Sequence, residues 1–316
     1  LIQLKRLSLC MIVKNEEDCI SRCLQSVKDI VDEMIIVDTG STDRTKEICQ
    51  SFGAQVIDFK WNGSFSDARN YGIERATGDW ILWLDADEEV DEADRSRLRD
   101  ILYLDAYDVI TLPIINYFGD QIRKDKVFNS SHNRLFRNHK GFKFINNIHE
   151  GLNKHQILRT EDDKKRIGLI PIKIYHYGYL TPVTEAKKKF RRNLELLEKE
   201  LEKEDYSPWI PFYIAGEYYS VEKYEVAFDY VNKAIIKFML DGYMPPPEIY
   251  RLKYAILIKL GSYEGAWPGI ECAVKIYPDY VDLQFYKGVI LYGKEMYTEA
   301  LEVFEHCLKL GEDRLE

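Results

Sequence analysis

Trp80-Ile-Leu-Trp-Leu84, followed at once by Asp85-Ala86-Asp87, is the stretch that decides the fold. Five apolar residues without a polar break predict a strand buried on both faces, and such strands belong to largely parallel sheets covered by helices. In those sheets ligands bind beyond the carboxyl ends of the strands, where two carboxylates stand here. Residues two apart in extended backbone point to one side, so Asp85 and Asp87 are placed to converge on a hard cation, with Ala86 letting the backbone approach a ligand. A divalent ion so held bridges a diphosphate and stabilises its departure. Two other uses of paired acids fit poorly. An aspartyl-nucleophile phosphatase wants Thr or Val four residues after its first Asp, where Glu89 stands, and a calcium loop wants Gly at its sixth position, which is Val90.

Upstream, the same alternation of strand and helix repeats. Leu7 to Val13 reads as a buried strand, and Asn15 is placed to cap a helix with Ile20, Leu24, Val27 and Val31 on one stripe. Met34 to Val37 is a second strand, residues 42–52 a helix closed by Gly53, and Ala54 to Ile57 a third strand. Residues 66–77 predict a helix ended by Gly78. Asp38 ends its strand as Asp85 does, and Thr39-Gly-Ser-Thr-Asp43 leads into the next helix. A carboxylate there can accept hydrogen bonds from a base or a ribose; the same residues also suit an ordinary strand-to-helix turn.

From about residue 184 the pattern turns wholly helical, and a repeat emerges. Ala266, Ile270 and Ala273 recur 34 residues later as Ala300, Phe304 and Cys307; an upstream copy, Ala227, Val231 and Ala234, lies 39 residues before the second. A 34-residue helix–turn–helix period with small residues at the packing points is the tetratricopeptide signature, and the Met244-Pro-Pro-Pro247 loop is the expected site of the longer interval. The expected domains are 1–181, α/β, and 182–316, all-α. The run Lys187-Lys-Lys-Phe-Arg-Arg192 at the junction reads as a solvated helix face.

Val13-Lys-Asn-Glu16, Ile36-Val-Asp-Thr-Gly-Ser-Thr-Asp43, Ala68-Arg-Asn-Tyr-Gly72 and Trp83-Leu-Asp-Ala-Asp87 together resemble, in order and spacing, family 2 glycosyltransferases of the GT-A fold. The resemblance implies a donor-binding set of Val13, Asn15, Glu16, Asp38, Ser41, Arg69, Asp85, Ala86, Asp87 and Arg137. In it Asp38 would contact the base, Arg69 would lie near the diphosphate, and Asp87 would hold Mg2+ or Mn2+. Asp67, just before Ala68-Arg69, departs from the pattern by adding an acid beside an anionic donor.

Residues 130–180 add Arg134-Leu-Phe-Arg137, Asn147-Ile-His149-Glu150-Gly151 and Tyr175-His-Tyr-Gly178. Inverting sugar transfer needs a base for the acceptor, for which Glu150 is the candidate with His149 as its neighbour or orienter. His176 would complete the metal shell. This succession, with helical repeats behind it, is similar to bacteriocin S-glycosyltransferases of the sublancin type, which attach sugar to a peptide cysteine, and also to transferases fused to tetratricopeptide repeats. It implies a nucleotide-sugar donor, most simply a UDP-sugar, and a peptide or protein acceptor docked partly on the repeats. A homodimer fits as well.

Composition agrees. The 316 residues carry 44 Lys plus Arg against 53 Asp plus Glu, a net charge of −9 that argues against a nucleic-acid partner. No stretch approaches the ~20 apolar residues of a membrane span, and no signal-peptide pattern opens the chain, so a cytoplasmic location is expected. The six cysteines, Cys10, Cys19, Cys23, Cys49, Cys272 and Cys307, form no C-x-x-C pair and read as small buried apolar residues. Leu1 and the terminal Leu315-Glu316 read as residues added for expression. Competing functions are an inactive peptide-binding scaffold, a transferase for a surface glycan or lipid-linked sugar, and a nucleotidyltransferase. The last would want a Gly-rich loop where Lys14-Asn15-Glu16-Glu17 stands.

Overall fold

Alternating apolar side chains organise the first half of the chain. In the computed structural model, which describes residues 4–180 and 183–312, strand β1 (Leu7–Val13) sends Leu7, Leu9, Met11 and Val13 into one core and Cys10 into another on the opposite face. The strands β2 (Glu33–Asp38), β3 (Gln55–Asp58) and β4 (Trp80–Trp83) join it in parallel, in the order β3-β2-β1-β4. Three helices, α1 (Ile20–Val27), α2 (Thr45–Ser51) and α3 (Phe65–Ile73), connect them. Burial on both faces explains the unbroken apolar runs. The α3 helix is shorter than expected, and Ala76 to Gly78 form a turn whose amides, at Thr77 and Gly78, bond to Glu33.

Beyond β4 the sheet changes direction. The intervening strands are β5 (Glu88–Val90), β6 (Val109–Phe118), β7 (Val127–Arg137), β8 (Phe144–Ile145), β9 (Gly151–Leu152), β10 (Ile167–Leu169) and β11 (Ile174–Tyr179). Strand β7 pairs antiparallel with β4 and with β6; β11 lies parallel to β6 and antiparallel to β5; β10 also pairs with β6. Among the described residues the main sheet thus has nine strands, mostly parallel, and β8–β9 form a separate pair.

Two irregularities in this half matter below. The β6–β7 register shifts between Ile110 and Thr111, whose partners are Leu135 and Asn133, so Arg134 is an extra residue in β7. The β11–β6 register shifts between His176 and Tyr179. Bulges of this kind re-aim side chains next to functional sites.

The chain divides into two compact units, Leu1–Ala186 and Lys187–Glu316. The second unit pairs helices Trp209–Ser220 with Tyr224–Leu240, Pro247–Lys259 with Tyr263–Ala266 and Gly269–Ile276, and Val281–Gly293 with Tyr297–Glu312. The last two pairs are offset by 34 residues, and Ala227, Val231, Ala234, Ala266, Ile270, Ala273 and Ala300 are all at most 2% exposed, as the repeat requires, while Phe304 and Cys307 of the last copy are only half-buried. The longer first interval comes from a longer helix Tyr224–Leu240 as well as from the loop carrying Pro245 and Pro246. In the basic run Arg191 and Arg192 are exposed; the side chains of 187–189 lie outside the described residues, as do Leu1, Leu315 and Glu316. No helix among the described residues is long and apolar enough to cross a membrane. All six cysteines are free, but only Cys10, Cys23 and Cys49 are buried; Cys272 is exposed, and Cys19 and Cys307 are intermediate.

At the amino edge of the parallel strands Asp108, 3% exposed, binds Lys140 Nζ at 2.8 Å and Arg166 Nε at 2.6 Å. Burial alone would raise its pKa, but hydrogen bonds from Arg166 and Lys140 outweigh that and lower it to about 2. A depressed folded-state pKa contributes stability above the unfolded value of ~3.9, lost as pH falls toward the folded one. Asp108→Asn should therefore cost about 2 kcal/mol at neutral pH. In urea unfolding, the gap to wild type should close between about pH 4 and pH 2.

Candidate active site

The chain turns as soon as β4 ends. The Glu88 amide donates to the Asp85 carbonyl at 3.1 Å, and the Asp85 amide donates to Glu88 Oε2 at 2.9 Å. Asp85 and Asp87 therefore do not lie side by side on extended backbone, and each carboxylate meets its own partners.

Asp85 belongs to two guanidinium groups. Arg69 Nη2 donates to its Oδ1 at 2.8 Å, and Arg134 Nη1 lies 3.9 Å from Oδ2. Both arginines are buried, and their guanidinium carbons stand 4.4 and 3.7 Å from the Trp83 ring centroid, a cation–π platform. Arg134 also pairs with the buried Glu88. Burial favours a neutral Asp85, but Arg69 and Arg134 outweigh it and hold its pKa well below the usual carboxylate range. Burial pushes Glu88 the other way, against the pull of Arg134 and with the help of the Asp85 charge.

Arg69 reaches further. Its Nε donates to Glu150 Oε1 at 2.6 Å, so one side chain ties the end of β4 to the loop before β9. Its neighbour Asn70 brackets the Phe144 backbone, donating to the carbonyl at 2.9 Å and accepting from the amide at 2.8 Å. The α3 helix and the β8 segment are thereby fixed together. Ser64 caps α3 by accepting from the Asp67 amide, while the exposed Asp67 carboxylate accepts from Asn62 at 2.7 Å.

Asp87 faces β11. His176 Nε2 lies 3.5 Å from its Oδ2, and His176 Nδ1 is 2.8 Å from Asn116 Oδ1, which orients the ring. Although burial disfavours charge on His176, Asp87 first, then Glu88 and Asp85, raise its pKa above the ordinary value. Gly178 makes this approach possible, since a Cβ there would stand 2.3 Å from Asp87 Oδ2 and 2.6 Å from His176 Nε2.

The remaining candidates gather at the carboxyl ends of β1 and β2. Asp38 Oδ1 accepts from the Gly40 and Ser41 amides, both at 2.9 Å, and Lys46 Nζ is 3.5 Å away; its buried Oδ2 has no hydrogen-bond partner. Burial raises its pKa, but Ser41, Gly40 and Lys46 outweigh it and hold Asp38 below the ordinary range. The Val13 carbonyl accepts from Thr39, Ser41 Oγ accepts from the Asn15 amide, and the Glu16 amide donates to Thr45 Oγ1.

Several expectations change. Asn15 does not cap α1, whose N-cap is Cys19; with φ 56° it accepts from the Thr42 amide at 2.8 Å and braces the loop after β2. Ala86 packs into the core at 5% exposure. Arg137 lies at the opposite edge of the sheet, paired with Trp80 at the start of β4 and bound to Asp105 and Asp108, because antiparallel β7 carries its later residues away from the site. The bulged Arg134 is the guanidinium that enters the site. Glu150 is oriented by Arg69, and His149 is exposed on left-handed backbone at φ 49°. Among the described residues no three His, Cys, Asp or Glu groups are arranged to hold a metal ion. Asp87 offers a hard carboxylate oxygen and His176, once deprotonated at Nε2, a borderline imidazole nitrogen, which fits a divalent ion that takes its other ligands from water and a diphosphate.

The model of glycosyl transferase family 2 matches residues 8–165, half of the chain, and the chain belongs to that family. A TPR repeat-containing protein of Synechococcus elongatus is 40% identical over 176 residues, covering 55% of this chain and 42% of its own. The SPbeta prophage-derived glycosyltransferase SunS of Bacillus subtilis is 29% identical over 288 residues, covering 89% of this chain and 65% of its own. The chain thus spans less than two thirds of the length of either relative. The solved structure of S. aureus TarS 1–349 in complex with UDP-GlcNAc is 14% identical, covers 95% of this chain and 92% of that one, and has a TM-score of 0.42.

Gly178→Ala should leave the fold intact and separate His176 from Asp87. Proton NMR titration of the histidines would then show the His176 pKa falling toward its ordinary ~6.5. An unmoved value would mean that Asp87 does not control the ring.

Proposed function

We propose that this chain is a metal-dependent inverting glycosyltransferase that moves a sugar from a nucleotide-sugar, a UDP-sugar, to a peptide or protein acceptor, with a cysteine thiol among the acceptor groups. What carries the proposal is the sorting of three carboxylates along one sheet edge. Asp38 presents an unpartnered, buried oxygen suited to a base or ribose donor group. Asp85 is locked by two guanidinium groups, and Asp87 meets His176. Asp87 and His176 would hold Mg2+ or Mn2+, which when bound supplies positive charge to the departing diphosphate. Arg69 and Arg134 place guanidinium groups at the same edge, where Asp85, Glu88 and Glu150 pair with them, so the bound metal is the charge left to meet an anionic donor.

Glu150 is the group we assign to the acceptor proton. Its carboxylate is aimed by Arg69, whose other nitrogen holds Asp85, so donor and acceptor sides are set by one side chain. A thiol, with a reference pKa near ~8.5, needs little help to become a nucleophile, whereas a hydroxyl needs a positioned base. The helical repeats supply the kind of extended surface on which peptides dock.

The deciding experiment measures nucleoside-diphosphate release from UDP- and GDP-sugars with Mn2+, Mg2+ or chelator, with donor binding followed in the same samples. Wild type should release diphosphate from one donor only when metal is present, and Asp87→Ala should lose this by about 10²-fold or more while remaining folded. Full activity of Asp87→Ala, or no donor binding by wild type, would overturn the proposal. Glu150→Gln extends the test: a hydroxyl acceptor predicts a loss of about 10²–10⁴-fold, a thiol acceptor less than about tenfold.

A further inference from the structure

The aromatic rings do not stop at His176. Tyr179 packs edge-on against it with centroids 5.1 Å apart, Phe128 lies 5.2 Å from Tyr179, and Phe118 lies 6.3 Å from Phe128. Residues 176 and 179, an odd number apart, would face opposite sides of a regular strand; the register shift in β11 brings them to the same side. Phe128 reaches that side from β7, two residues before Ser130, whose hydroxyl accepts from Asn116, the partner of His176. The rings therefore run continuously from the Asp87–His176 pair along the β6–β7 hairpin.

This wall is left in water. Tyr179, Phe128 and Phe118 are 54%, 44% and 42% exposed, each at or next to the end of its strand, beyond the positions that carry the core. Contiguous exposed apolar surface beside a polar site marks a place where something binds. The turn that follows, residues 119–126, carries Arg123, Lys124 and Lys126 against Asp120 and Asp125; Arg123 pairs with Asp125, which leaves an excess of one positive charge at the lysines.

We propose that Phe128, Tyr179 and Phe118 form an acceptor subsite, which takes the apolar side chain next to the acceptor residue of an extended peptide leading from the Asp87–His176 edge along the hairpin. Neutral or acidic peptide residues then fall toward the Arg123–Lys126 turn. The subsite rests on the peptide-acceptor function proposed above. A peptide suits it better than a bilayer does, because the rings lie against one another beside His176 and the turn itself contributes two carboxylates and a single exposed aliphatic residue, Ile122.

The test uses the full chain, the donor found by diphosphate release, and short peptides with a central Cys or Ser flanked by Phe, Leu, Gly, Asp or Lys. Wild type should prefer Phe or Leu beside the acceptor. Phe128→Ala should raise the peptide KM about tenfold, with kcat and donor-only release within about twofold of wild type, and Tyr179→Ala should raise KM at least as much. Phe128→Leu should restore most of the affinity, which a purely structural lesion would not explain. Unchanged KM in both alanine variants, with peptides still modified, would overturn the subsite alone. Diphosphate release without modification of any peptide would remove the peptide-acceptor function and the subsite with it. Loss of sedimentation with phosphatidylcholine–phosphatidylglycerol vesicles in the variants, at unchanged peptide KM, would assign the wall to a membrane surface and overturn the proposal.

Discussion

One buried guanidinium holds the site together. Arg69 donates from Nε to Glu150 and from Nη2 to Asp85, and its guanidinium carbon stands 4.4 Å from the Trp83 ring centroid. Burying a charge costs several kcal/mol unless it is paired with good geometry. Here two carboxylates offset the cost, and the planar fork of arginine suits the pairing better than the point charge of a lysine. Without Arg69, Asp85 and Glu150 would be left as partly buried anions with their shared cation gone.

The rest of the architecture positions the partners of that contact. The parallel half of the sheet brings Asp38 and Asp85 to one edge by strand direction alone, since each follows or ends a strand of the same sense. In the other half β7 runs the opposite way, but β6 and β11 run with β4, and β11 carries His176 to the same edge. Irregularity adds the rest: one extra residue turns Arg134 inward, and a register shift just after His176 sets Tyr179 beside it. Two bulges thus add a second wall to an edge that the parallel strands began.

This difference explains what could be read from sequence. Strand β1 is visible in full as Leu7 to Val13, and the carboxylates at positions 38 and 85 follow from acids standing at the ends of apolar runs. Small residues at a 34-residue spacing mark the helical repeats because close helix packing tolerates little else. A bulge leaves no such mark. Arg134 and Arg137 sit in one tetrapeptide with the same residue type, and only the strand's direction and its extra residue place the first beside Asp85 and the second beside Asp108. Asn70 was equally hidden, since its work is to bracket a backbone more than seventy residues away. Asn15 had the residue type of a helix cap, but a left-handed backbone gave its side chain to Thr42 instead.

The central claim is that Arg69 couples the carboxylates at the end of β4 to the loop of Glu150. A double-mutant cycle of Arg69→Gln and Glu150→Gln, read by urea unfolding, tests it most directly. The account predicts a coupling of about 1–3 kcal/mol, with the double variant less destabilised than the two single losses combined. Effects that add to within about 0.5 kcal/mol would contradict it.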